Sequence, residues 1–117
     1  MSGTGTVHIT RPALQAVNVA EADPTLATDG VRCEGHRHAA VTFTNLNVTN
    51  YDLQVWVFDG SAWARASDAS GALIDIDGIT TTFATTLEIA GFQRVFVQID
   101  NATALVNVDR QYALGRF

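Results

Sequence analysis

Lysine is absent from this chain. All of its basic side chains are Arg, 7 against 12 acids, for a net charge of −5. A chain of that sign is a poor ligand for nucleic acid, whose affinity comes from neutralised phosphates, or for anionic membrane surfaces. Cysteine occurs once, as Cys33, so no internal disulfide forms and a reducing compartment of synthesis is expected. No apolar run reaches the roughly 18 residues a membrane-spanning helix needs. The start, Met1 to Thr6, has neither the basic residues nor the apolar stretch of a secretory signal. Charged residues make up only 16% and apolar residues 47%, which excludes a disordered chain. The sequence contains no Gly-x-Ser-x-Gly elbow and no phosphate-cradling glycine loop. What is present is one domain of 117 residues, long enough to bury a core without staples.

Strand signals dominate that domain. From Ala39 onward, β-branched and aromatic runs alternate with turn residues every 8–12 residues or so, the spacing of an antiparallel sandwich or barrel. Strands are expected over Ala39–Leu46, Leu53–Phe58, Ser61–Ala66, Ala72–Ile76, Thr80–Ile89, Phe92–Ile99 and Ala102–Val108. Asp59-Gly60, Asp77-Gly78, Ala90-Gly91 and Asp100-Asn101 supply the turns. Asp59-Gly60 is expected to be a two-residue hairpin turn with both residues at positive φ. The gaps leave no room for crossover helices, so a parallel sheet is excluded. The fold class is all-β, a single antiparallel β-sandwich of about seven or eight strands, with jelly-roll and immunoglobulin-like versions both open. Residues 1–38 are punctuated by Pro12, Pro24, Gly30 and Gly35 and read as an irregular N-terminal arm with short strand-like pieces such as Val7–Thr10 and Ala16–Ala20. Residues 39–108 read as the sandwich core and 109–117 as a C-terminal tail.

Two strands carry apolar residues on both faces. In Leu53–Phe58, Leu53, Val55 and Val57 oppose Gln54, Trp56 and Phe58. In Phe92–Ile99, Val95, Val97 and Ile99 oppose Arg94, Phe96 and Gln98. One face of each is core, and the other presents Trp56, Phe58 and Phe96 to something. Three readings stay open: the N-terminal arm folds over that face, another protein docks on it, or it stacks sugar rings with help from Tyr51 and Trp63. Arg110 and Arg116, with Phe117, make a basic end to an acidic body and are expected to join a docking interface.

Other chemistry is weakly represented. Cys33-Glu34-Gly35-His36-Arg37-His38 carries zinc-ligand types, but a closed site needs a fourth ligand and the spacing matches no zinc motif. No metal and no cofactor are expected, with Cys33, His36 and His38 as the weak candidates. Asp75-Ile76-Asp77-Gly78 begins like a calcium loop, but the full loop also needs an acid at its third ligand position and a Glu at its twelfth, whereas Thr81 and Thr82 follow and position 86 is Thr. Asp75 and Asp77 share a strand face, as paired glycosidase carboxylates do, but near an exposed turn their pKa values are expected to be ordinary. No enzyme activity is expected.

Small size, an Ala-, Thr- and Val-rich all-β pattern, a loose N-terminal arm and the hairpin Val57-Phe58-Asp59-Gly60-Ser61-Ala62-Trp63 together resemble small virion proteins of tailed bacteriophages. The nearest similarity is to capsid decoration (cement) and other head- or tail-accessory proteins. It is a likeness of general style and spans Ala39 to Val108. It implies a virion structural protein made in the host cytoplasm, binding the major capsid protein or another virion protein in multiple copies on a symmetric assembly or as a homo-oligomer. It implies no cofactor, no nucleic acid and no membrane partner. The alternative in the same setting is a carbohydrate-binding sandwich of a tail fibre or receptor-binding tip.

Overall fold

The alternation seen in the sequence builds two antiparallel sheets. The computed structural model describes residues 5–14, 21–44, 51–80, 83–102 and 106–115, with side chains at 21–43, 51–80, 84–100 and 110–115. Among these the strands are β1 (Gly5–Leu14), β2 (Val31–Arg32), β3 (His38–Thr44), β4 (Tyr51–Phe58), β5 (Trp63–Arg65), β6 (Asp75–Ile79), β7 (Phe83–Glu88), β8 (Arg94–Ala102) and β9 (Val106–Gly115). The first sheet runs β1-β9-β3-β7. The second runs β2-β8-β4-β5, with β6 also pairing β4. β5 lies against Trp56–Phe58 and β6 against Tyr51–Gln54, so the two share one edge of β4. With β5 and β6 taken as one interrupted strand, this is the two-sheet strand order of a jelly roll. The immunoglobulin-like alternative is thereby set aside.

Period-two burial places the core between the sheets. Tyr51, Leu53, Val55 and Val57 of β4 face Ala39, Val41 and Phe43 of β3, with Val95, Val97 and Ile99 of β8 and Tyr112 and Leu114 of β9 completing the cluster. The strands that read as two-faced therefore turn their Val, Leu and Ile side inward.

Several boundaries differ from the sequence reading. Within the N-terminal region the strand-like piece Val7–Thr10 is part of a longer strand, Gly5–Leu14, which pairs with β9 from Gly5↔Leu114 to Leu14↔Val106 and so belongs to the sandwich. Nor do residues from Asp109 onward trail as a tail. Through Gly115 they belong to β9, an inner strand between β1 and β3. A charged residue at an inward position, Arg110, interrupts the apolar alternation there and hides the strand. Asp100-Asn101 is not a turn; β8 continues to Ala102, with a register shift beside Asp52 and Leu53. Asp77-Gly78 also lies within a strand. The pairing slips by one residue between Tyr51↔Ile79 and Leu53↔Ile76, and the Gly78 N–H donates to Asp52 Oδ1 at 2.8 Å. At Asp59-Gly60 the expected hairpin exists, but Phe58↔Trp63 closes a longer loop. Gly60 alone takes a positive φ there, 100°. Asp59 instead turns the chain with its carboxylate, accepting the N–H groups of Ser61 at 2.8 Å and Ala62 at 2.9 Å.

Candidate functional site

The outer face of the second sheet is where the sequence placed its exposed aromatics. The register of β4 and β8 does make Trp56 and Phe96 direct neighbours, with Phe58 opposite Arg94. These rings are not an open patch. Residues 21–30 cross the face as a strap. Gln98, buried on the same face, donates from Nε2 to the Glu21 carbonyl at 2.9 Å and to Asp23 Oδ1 at 2.8 Å. Its Oε1 accepts Trp56 Nε1 at 2.8 Å. Arg94 holds the far end, donating from Nε to the Asp29 carbonyl at 2.6 Å and from Nη2 to the carbonyls of Thr28 and Gly30. Trp63 Nε1 donates to the Leu26 carbonyl at 2.9 Å. Asp29 caps the turn inside the strap, accepting the Thr25 and Leu26 N–H groups, and these bonds hold its carboxyl below the ordinary value.

Close approach sets one residue type in the strap. At Gly30, φ is +66° and a Cβ would lie 2.5 Å from the Val95 carbonyl oxygen. Any other residue would push the strap off the sheet. Of the three readings of the aromatic face, the strap corresponds to cover by the chain's own N-terminal region. Phe58 is buried at 6% exposure against Trp63, ring centroids 5.3 Å apart, so it is not an accessible contact. Trp56 is half-buried, with the Arg65 guanidinium 5.9 Å from its ring centroid.

The tail residue expected at an interface, Arg110, is instead 1% exposed. It projects from β9 to the free edge of β8, where β2 is too short to continue the ladder. There Nη1 donates to the Val97 carbonyl at 2.9 Å, and Nη2 meets Glu21 Oε2 at 2.7 Å. Tyr112, two residues along the same strand face, accepts the Val97 N–H on its hydroxyl oxygen at 2.9 Å. Glu21 finishes the edge. Its Oε1 accepts the Ile99 N–H at 2.8 Å, and its own N–H donates to the Ile99 carbonyl at 2.8 Å. Three side chains and the Glu21 backbone thus do for β8 what a neighbouring strand would do, and of the Arg110 guanidinium only Nε is left without a hydrogen-bond partner. The Arg110 guanidinium lies between the rings of Phe43 and Phe96, 5.3 and 5.4 Å from their centroids. Burial opposes its charge, but the facing Tyr112 and Glu21 outweigh that and leave its pKa raised. Full burial raises the Tyr112 hydroxyl.

The remaining candidates are scattered. Tyr51 is 1% exposed in the core, tilted against Phe43, and burial pushes its pKa to about 12. Trp63 lies on the opposite face of the sheet, so the two form no shared ligand platform. Cys33 is fully buried, and burial lifts its thiol to about 11. His36 faces the Cys33 carbonyl through Nδ1 at 2.8 Å, while His38 starts β3. No cluster of three potential metal ligands occurs among the described residues. Asp77 departs from the ordinary value expected for it. A hydrogen bond with Asp75 raises it, helped by partial desolvation and then by the charges of the neighbouring carboxylates. Arg116 and Phe117 lie outside the described residues.

Sequence reasoning missed Glu21, Gln98 and Tyr112. Glu21 follows no periodic pattern, and a polar residue on a strand's outer face, such as Gln98, ordinarily meets solvent. Two of the clefts among the described residues bear on these elements. One of about 410 Å³ lies under the strap, between residues 21–30 and Phe96 with Arg110. The other, about 600 Å³, opens between the β5–β6 region and β7, with Val57, Ile74, Leu87, Ile89 and Phe92 in its lining.

No protein-family model matches the chain, and no curated protein matches it in sequence. Among solved structures, the chain is similar to the SPBc2 prophage-derived protein YomS, with a TM-score of 0.59 at 12% identity over 97% of this chain and 96% of that one. A chain from Bacillus endospore appendages, described as disulfide-linked pili, aligns with a TM-score of 0.40 at 11% identity, over 100% and 92% of the two chains. At these identities the likeness to the prophage-derived protein is one of fold, and it extends over almost the whole of both chains.

Proposed function

We propose that this chain is a non-enzymatic virion structural protein of a tailed phage, a capsid decoration (cement) protein that stabilises the shell by bridging its subunits. The observation that carries the reading is the jelly roll shared, end to end, with a prophage-derived protein. The internal bracing of the domain supports it. A strap, a buried ion pair and a side-chain-capped strand edge make a rigid unit, and a rigid unit loses little conformational freedom when it docks. Docking would use apolar residues the chain leaves uncovered, Leu26 (61% exposed), Leu73 (56%) and Phe92 (38%), rather than Trp56, Phe58 and Phe96.

Density-gradient sedimentation of a lysate from the native source tests the reading. The chain is expected to travel with large particles at a fixed ratio to a major shell protein. Recovery wholly as a small species at the top of the gradient, in a lysate that contains particles, would overturn it.

A further inference from the structure

An open sheet edge offers unpaired N–H and C=O groups to any other strand, so proteins guard their edges. Most edges here carry a guard. β1 contains Pro12, which has no N–H, and its register breaks between Arg11 and Leu14. β2 is two residues long and β5 three. β6 carries exposed Asp75 and Asp77 and its own register break. β7 differs. It pairs with β3 in unbroken register from His38↔Glu88 to Phe43↔Phe83, and no described strand lies on its other side. Its six residues, Phe83–Glu88, include no proline, no glycine and no basic residue, and its one charge is Glu88 at the end.

We propose that β7 pairs antiparallel with β7 of a second copy of this chain, across a two-fold axis, joining the two β1-β9-β3-β7 sheets into one. The strand is complementary to itself. Directly opposed residues of an antiparallel pair share a face, so a register centred on Thr86 sets Thr86 against Thr86, Thr85 against Leu87 and Ala84 against Glu88. Threonine and β-branched cross-strand pairs are favourable, and the two Glu88 carboxylates stay apart. Ala84, Thr86 and Glu88 are exposed on the outer face of the sheet, and among the described residues no strand pairs the outer edge of β7. The apolar cleft of about 600 Å³ opens along the same flank. Pairing there withdraws the part of its lining along β7, Leu87 included, from water. The inference does not depend on the virion reading, since a chain of any function would meet its own copies through this edge.

Analytical ultracentrifugation of the full chain tests it. The native protein is expected at twice the chain mass of 12.5 kDa. The Ala84→Lys/Thr86→Lys variant is expected at the single-chain mass with an unchanged far-ultraviolet spectrum. A native chain that stays at the single mass up to its solubility limit, or a folded variant that remains dimeric, overturns the proposal. Thr86→Cys gives a readout that does not rely on the lysine variant folding. Cys33 is buried, so the new thiol is the accessible one, and two-fold pairing sets it beside its own copy within disulfide reach. Oxidation should convert Thr86→Cys to a covalent dimer while Ser61→Cys, on the β4–β5 loop, stays single. Equal cross-linking of the two variants, or none in Thr86→Cys, overturns the pairing.

Discussion

The two flanks of this sandwich are closed by opposite means. On one, β2 ends after Arg32, and the exposed edge of β8 is taken over by Arg110, Tyr112 and Glu21. On the other, β5 and β7 stand apart over an apolar cleft, and β7 has no partner on its outer side among the described residues. The first flank uses charge and hydrogen bonds inside low-dielectric surroundings, where each group matters because its partner has no water to fall back on. The second keeps its polar groups at the surface, where solvent substitutes for a lost contact. The same fold therefore contains one flank intolerant of change and one whose outer strand edge meets no other described strand.

Substitutions can break or sharpen that contrast. The largest effect is expected from Glu21→Ala, which strands Arg110 in the interior and leaves the Ile99 N–H without its acceptor. Removing one member of a buried ion pair costs about 3–5 kcal/mol, to be read as a lower urea midpoint. The double variant Glu21→Ala/Arg110→Met should recover part of that loss, because no uncompensated charge is then buried. If Glu21→Ala unfolds at the native midpoint, the flank is not held by the pair.

Tyr112→Phe should cost less, about 1–3 kcal/mol, the penalty for a buried donor left without a partner. Here the donor is the Val97 N–H, and its amide should exchange with solvent faster than those of Val95 and Leu53, which keep their surroundings.

Acid should loosen the strap that carries Glu21. Asp29 titrates below its ordinary 3.8 in the folded chain because its carboxylate accepts two backbone N–H groups. A folded value below the unfolded one means that its contribution is complete above about pH 3.8 and disappears as pH falls through the lower, folded value. In a Trp56→Phe background, Trp63 emission reports the strap through its bond to the Leu26 carbonyl. That emission should change over this acid window, and Asp29→Asn should remove the transition.

The smallest effect is expected on the open flank. Thr86→Lys places a charge on an exposed strand position and should change the stability of the folded monomer by no more than about 0.5 kcal/mol. A cost comparable to that of Tyr112→Phe would mean that the two flanks are not as different as their contacts indicate.

How much of this was readable beforehand depends on whether the signal is local. The β4 and β8 strands were legible because Leu53, Val55 and Val57, and Val95, Val97 and Ile99, alternate without interruption. The neighbouring of Trp56 and Phe96 followed once those strands were paired. The end of the chain was not legible as β9, because its alternation passes through a buried Arg. Asp77-Gly78 and Asp100-Asn101 are turn-forming pairs by chemistry, yet both sit in strands at register shifts, where extra residues are absorbed without reversing the chain. At the candidate site, cover by the N-terminal region was one of three open readings. The residues that anchor it, Gln98 and Arg94, are ordinary polar positions until a segment 64 to 77 positions away lies on them.

The sequence alone determined an all-β sandwich, its apolar strand faces and its acidic, lysine-free surface. These follow from side-chain period and composition, which are properties of short stretches of chain. Tertiary structure alone decided which apolar face stays covered, that Arg110 belongs inside, and which sheet edge has no partner among the described strands. Each of those depends on which distant residues come together: Glu21 reaches Arg110 across 89 positions. No local pattern encodes such a meeting, because it is selected by the packing of the whole domain.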